Sequence, residues 1–81
     1  MNKKILILGA SSDIGYYLTK KYLNKNFFVF AHYNQNAGKL KKIKKKNLKI
    51  FNFDLKKITN FEKFVQKSEI FKNIDIFVHS L

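Results

Sequence analysis

Seven consecutive residues hold the most chemistry in this chain: Gly9-Ala10-Ser11-Ser12-Asp13-Ile14-Gly15. They follow the apolar run Ile5-Leu6-Ile7-Leu8 and precede a helical pattern, so they sit where a strand turns into a helix. At such a junction the first helical N–H groups lack intrahelical partners. The helix dipole adds partial positive charge there, and together they form an anion site suited to phosphate. Gly9 permits the tight turn out of the strand, Gly15 lets the helix pack closely, and Ser11 and Ser12 offer hydroxyls. Asp13 is a carboxylate that would repel a phosphate, yet a helix start favours it by about 0.3–1 kcal/mol. Its side chain is therefore expected to cap the helix and point away from the anion. The spacing is glycine, five residues, glycine. This is neither G-x-G-x-x-G nor a P-loop, so an anion site and a ligand-free glycine turn are both open at this point.

Other chemistries are excluded by composition. The chain has 81 residues, no Cys and only two His, His32 and His79, far apart. That removes disulfides and Cys-based zinc, and leaves no metal-ligand cluster. The net charge of +12 comes from 17 Lys with no Arg, against five acids. Lys, Asn, Ile and Phe, all with AT-rich codons, make up 44 of the 81 residues. The Lys content reads as a solvated surface in a low-GC coding sequence. Readers of nucleic acid keep Arg for bidentate contacts, so nucleic acid is not the expected partner. No run approaches the roughly 20 apolar residues of a membrane span, and the stretch after Lys4 is too short for a signal peptide. The absence of Cys fits a reducing compartment, and the expected location is cytoplasmic.

The elements that position the glycine segment follow from periodicity. Lys4 to Leu8 reads as a strand buried on both faces, as in a parallel sheet. Asp13 to Lys25 reads as a helix whose apolar stripe is Ile14, Leu18 and Tyr22, widened by Tyr17 and Leu23. Asn24 and Asn26 are its candidate stops. Phe27 to His32 is a second strand. Lys39 to Lys46 forms a short solvated helix anchored by Leu40 and Ile43. Leu48 to Phe53 is a third strand. Thr59 and Glu62 form a capping box that opens a helix through Lys72, with Phe61, Phe64, Val65 and Phe71 on one face. Asp75 to His79 is a fourth strand. This alternation predicts an α/β fold: a Rossmann-like parallel sheet of four strands in order 3-2-1-4, with three helices and right-handed crossovers. It occupies residues 1–81 as a single domain.

With these elements in place, the whole chain resembles the N-terminal third of a short-chain dehydrogenase/reductase. That family shares a T-G-x-x-x-G-x-G turn, an aspartate after the third strand and an N-N-A-G motif after the fourth. Here Leu8 stands at the Thr, Gly9 matches the first glycine, Asp13 stands at the middle glycine, and Ile14-Gly15 match the end. The resemblance implies NAD(P) as cofactor, held by Gly9, Ser11, Ser12, Asp13, Ile14 and Gly15 at the pyrophosphate. It implies that Asp54 receives the adenine amino group and Leu55 lines the ring pocket, although an aspartate at a strand end equally serves as a cap. NAD-specific members place an acid after the second strand. Ala31-His32-Tyr33-Asn34 contain none, with Tyr33 at that position, and Asn34, Asn36 and Lys39 are candidates to contact a 2′-phosphate. This resembles NADPH-preferring members. Val78-His79-Ser80-Leu81 replaces N-N-A-G. His79-Ser80 is similar to the enoyl-acyl carrier protein reductases, so these two are also expected at the cofactor, although a His at the end of a buried strand is more often a satisfied structural residue than a catalytic one.

The family's catalytic Ser and Tyr-x-x-x-Lys are absent from this sequence. Tyr16 with Lys20 and Tyr17 with Lys21 match the second motif in spacing alone, and four Tyr among 17 Lys produce such pairs by composition. No catalytic residue is therefore assigned. The chain is expected to be a partial, truncated form of the family fold, able to bind a dinucleotide. Its small-molecule substrate would be met only in a full-length protein, which would move hydride between NAD(P)H and a carbonyl, alcohol or enoyl compound. The fourth strand is expected to be an unprotected edge that invites self-association. Two rival readings share the same residues: a non-catalytic nucleotide- or anion-binding module, and a basic nucleic-acid-binding protein.

Overall fold

The computed structural model describes residues 3–52 and 73–79. The helix expected over Thr59–Lys72, and the candidates Asp54, Leu55 and Ser80, lie outside the described residues. Strand β1 spans Lys4–Leu8, helix α1 Asp13–Asn24, β2 Phe28–Tyr33, β3 Leu48–Asn52 and β4 Ile76–His79. All strand pairs are parallel, in the order β3-β2-β1-β4. The expected α/β sheet and its strand order are both present.

Apolar runs explain the centre of the sheet. Ile5, Leu6 and Ile7 are completely buried, as are Val29 and Ala31 of β2. Alternation sends Ile5, Ile7, Val29 and Ala31 to one face, where Leu23 of α1 and Leu40 pack. Leu6, Leu8 and Phe30 go to the other, with Phe28, Phe51 and Ile74. Each fully buried Leu or Ile contributes about 1.5–3 kcal/mol, so the central strand is a large part of the stability of so short a chain. Asp75 fixes the register of β4: its carboxylate accepts from the Lys4 N–H at 2.8 Å, and its own N–H donates to the Lys4 carbonyl at 2.9 Å.

Helix α1 ends as its Asn residues suggest. Asn26 takes φ 64°, and the Phe27 N–H donates to the Tyr22 carbonyl at 3.0 Å. The Asn26 N–H donates to Leu23 at 3.1 Å, which completes a Schellman motif. The Phe27 ring meets Tyr22 edge-on at 4.9 Å. Asn47 holds this corner to the sheet, its Nδ2 donating to the Phe27 carbonyl at 2.7 Å.

Two expectations are corrected. Of the α1 stripe, Leu23 is buried and Leu18 and Tyr22 pack against the core, with Gly15 and Thr19 buried beside them, but Ile14 and Tyr17 are 68% and 63% exposed. The inward face is thus shifted away from the Ile14 and Tyr17 side of that stripe. The close approach of Gly15 to the Gly9-Ala10 backbone decides this placement. The second helix is not α-helical. Gly38–Lys42 forms a short 3-10 segment, and Ile43 is already extended at φ −79°, ψ 123°. Leu40 and Ile43 lie three apart, which suits three residues per turn. Six Lys between 39 and 46, with no acid among them, give a longer helix only like-charge neighbours.

Candidate functional site

Parallel strands bring their C-terminal ends to one edge, and the sequence candidates gather there. Gly9 follows β1, Tyr33 ends β2 and Asn34 follows it, and His79 ends β4 in register with Leu8. Chain order reverses at β1, since β2 lies on one side of it and β4 on the other. Open α/β sheets form their ligand crevice at such a switch point.

The glycine turn is built at this crevice. Gly9 has φ 75°, a conformation that glycine adopts without a Cβ penalty. Its carbonyl accepts from the Ser12 N–H at 3.1 Å and from the Ser12 hydroxyl at 2.9 Å. The same Ser12 oxygen accepts from the Gly15 N–H at 3.1 Å, making Ser12 the N-cap of α1. Ser12, not Asp13, therefore caps the helix. The hydroxyl is nearest to the free N–H of Gly15, while Asp13 opens the first turn and adds its charge to the dipole. Because it is engaged at both ends, the Ser12 hydroxyl works inside the turn.

Gly15 is placed by contact. A Cβ there would lie 2.3 Å from the Gly9 carbonyl oxygen and 2.6 Å from the Ala10 Cα. Only glycine lets α1 sit directly on the turn, and this presses Thr19 and Leu23 inward. Thr19 is fully buried, with its hydroxyl donating to the Gly15 carbonyl at 2.8 Å.

The donors left over define what the turn can bind. Among the described residues, no hydrogen bond uses the N–H groups of Ser11, Asp13 and Ile14. All three residues are exposed. Three backbone donors beside a positive helix end fit a phosphate.

At the end of β2, Tyr33 is half-buried against the α1-side core and Asn34 is exposed. The Asn36 side chain accepts from the Gly38 N–H at 2.8 Å, and so shapes its own loop. Lys39 lies over the Tyr16 ring with its Nζ 5.6 Å from the centroid, and Lys20 sits at the same distance. The Tyr16–Lys20 pair thus meets through the ring face. A surface depression of about 470 Å³ runs along Tyr16, Tyr17, Lys20, Lys21 and Asn24, sharing no residue with the glycine turn. His79 is exposed at the end of β4.

Sequence reasoning missed His32. It is completely buried, its Nδ1 accepts from the Gly9 N–H at 3.3 Å, and its carbonyl accepts from Ala10 at 2.7 Å. The available signal was a polar ring closing the apolar run Val29-Phe30-Ala31, since buried polar groups need partners. Among the described residues, no three His, Asp or Glu side chains cluster as metal ligands, and no helix is long and apolar enough to cross a membrane.

Residues 3–80 match the family model of the short chain dehydrogenases. The chain belongs to that family. Among solved structures, it resembles serine dehydrogenase from Escherichia coli with a TM-score of 0.70 and 23% identity, over 91% of this chain and 35% of that one. It also resembles the PbgP3 protein from Burkholderia pseudomallei, with a TM-score of 0.69 and 26% identity, over 98% of this chain and 22% of that one. It therefore spans about a third of the first protein and about a fifth of the second. No curated protein matches it. Within the short-chain dehydrogenase fold, the glycine turn, the end of β2 and the end of β4 form one continuous rim.

Proposed function

We propose that this chain is the NAD(P)-binding N-terminal part of a short-chain dehydrogenase/reductase. Such an oxidoreductase transfers hydride between NAD(P)H and a carbonyl, alcohol or enoyl substrate. The observation that carries the reading is the set of unspent N–H groups at Ser11, Asp13 and Ile14, in the turn that follows β1 at the switch point. In this assignment those amides receive the pyrophosphate, and Gly9 and Gly15 give it room. Ser12 holds the turn in shape. Tyr33 and Asn34 meet the adenosine ribose, with Asp54 and Leu55 at the adenine and His79 and Ser80 along the β4 side. When bound, the dinucleotide supplies the nicotinamide that gives or takes hydride. The 81 residues supply binding and orientation, not the Ser and Tyr-x-x-x-Lys that manage protons in the family. A preference for NADPH is supported by the lack of an acid in Ala31-His32-Tyr33-Asn34, so nothing there repels a 2′-phosphate. The protein is expected to act in the cytoplasm.

The test is a titration of NADPH and NADH into the purified chain, followed by nicotinamide fluorescence at low and high salt. The expected result is saturable binding, tighter for NADPH, that Gly9→Asp abolishes by placing a carboxylate and a strained φ at the turn. Absence of binding refutes the reading. Equal, steeply salt-dependent binding of any polyanion also refutes it and assigns the affinity to the Lys surface, as a nucleic-acid binder requires.

A further inference from the structure

We propose that His32 is a positioning residue for the glycine turn: its imidazole selects the turn geometry that receives the dinucleotide phosphates. This rests on the dinucleotide reading above and extends it to a residue that would not touch the cofactor.

His32 is the one ionisable side chain among the fully buried residues described, and it stands in a strand of apolar neighbours. A polar ring in that place is stable only with its hydrogen bonds made. Two groups of this one residue reach the same turn. Nδ1 accepts from Gly9 at 3.3 Å, and the carbonyl accepts from Ala10 at 2.7 Å. The neutral ring then carries its proton on Nε2. Phe51, the register partner of His32 on β3, lies 5.7 Å away between ring centroids, tilted 53°, and limits how the imidazole can turn.

The bonds continue from there without a break. The Gly9 carbonyl, on the same residue as the held N–H, accepts from both Ser12 groups, and the Ser12 oxygen accepts from Gly15. Glycine has wide conformational freedom, so φ 75° at Gly9 needs a partner that selects it. His32 supplies one on either side of that rotation, its ring at the Gly9 N–H and its carbonyl at the Ala10 N–H. If the Gly9 N–H lost its acceptor, the Leu8–Gly9 peptide would be free to turn about the Gly9 φ, the Gly9–Ala10 peptide would be held only by the Ala10 N–H on the His32 carbonyl, and the Gly9 carbonyl would meet Ser12 less firmly. The cap on α1 would loosen, and the amides of Ser11, Asp13 and Ile14 would lose their fixed placement. His32 is also bonded directly to Tyr33. One residue thus ties the turn at the pyrophosphate to the position assigned to the ribose.

The test compares His32→Asn, whose Oδ1 stands near the Nδ1 position as an acceptor, with His32→Leu, which fills similar space without one. A third variant, His32→Gln, places its amide one bond further out, and gives the comparison if His32→Leu does not fold. The first readout is hydrogen exchange of the Gly9 amide by NMR, without cofactor. Exchange should be slow in the native chain and His32→Asn, and at least about ten-fold faster in His32→Leu or His32→Gln, equivalent to about 1.4 kcal/mol. The second readout is NADPH affinity: His32→Asn within about three-fold of native, and His32→Leu weaker by about ten-fold or more. Melting temperatures are recorded in parallel, because all variants lose ring packing. Equal exchange in all variants overturns the proposal. So does a loss of affinity that simply follows melting temperature, with no rescue by Asn. If the native chain fails to bind NADPH, the dinucleotide reading falls, while the Gly9 exchange still decides whether His32 sets the turn.

Discussion

Gly15→Ala tests whether one backbone contact places α1 on the sheet. In an open helix, Ala in place of Gly is stabilising by about 1 kcal/mol. Here the added Cβ would start 2.3 Å from the Gly9 oxygen, and ordinary contact begins near 3.4 Å. The helix and the turn must therefore separate by about 1 Å. The Ser12 oxygen bridges the two at 2.9 and 3.1 Å, so that separation breaks one of its bonds whichever side Ser12 follows. Overpacking costs about 1–3 kcal/mol and a lost N-cap about 1 kcal/mol, against the gain in helix propensity. The net effect is a destabilisation of about 1–3 kcal/mol, which at this size lowers the melting temperature by about 5–20 °C. NADPH affinity should fall as well, because the amides of Asp13 and Ile14 move with the helix. Circular dichroism melts and a fluorescence titration measure both effects. Gly38→Ala is the control: its Cβ would meet nothing within 4 Å, and the strain at φ 57° costs about 1–2 kcal/mol with no change in affinity. A Gly15→Ala protein that melts at or above the native temperature would refute the contact argument.

Three further outcomes are expected. Asn26→Ala, at φ 64°, should cost about 1 kcal/mol in urea unfolding while Asn26→Gly costs little, and equal losses would count against the left-handed stop. Tyr33→Asp should lower the ratio of NADPH to NADH affinity by about ten-fold through repulsion of the 2′-phosphate; an unchanged ratio removes Tyr33 from the ribose position. Phe77, 48% exposed on β4, stands on a strand that has a single neighbour among the described residues. Phe77→Lys should reduce self-association in sedimentation velocity, and an undiminished association constant would place the contact elsewhere.

Much of the architecture was legible in the residue pattern because the physical signals were local. Four short apolar runs separated by polar stretches identify parallel strands, since both faces of a central strand must be dry. The Asn26 stop was legible because few residues adopt a left-handed conformation cheaply. The second helix was misread because Leu40 and Ile43 fit periods of 3.0 and 3.6 equally well, and only the docked chain chose between them. Ile14 and Tyr17 were misplaced on the α1 stripe because large side chains were assumed to face inward.

The sequence by itself determined the order of strands, the place of the glycine turn between β1 and α1, and membership in the short-chain dehydrogenases. Each depends on residue type and spacing along the chain. Tertiary structure alone decided which face of α1 is buried and that His32 holds Gly9. These depend on distances between residues as many as 23 positions apart, fixed when β2 pairs with β1 and brings the His32 ring under the turn.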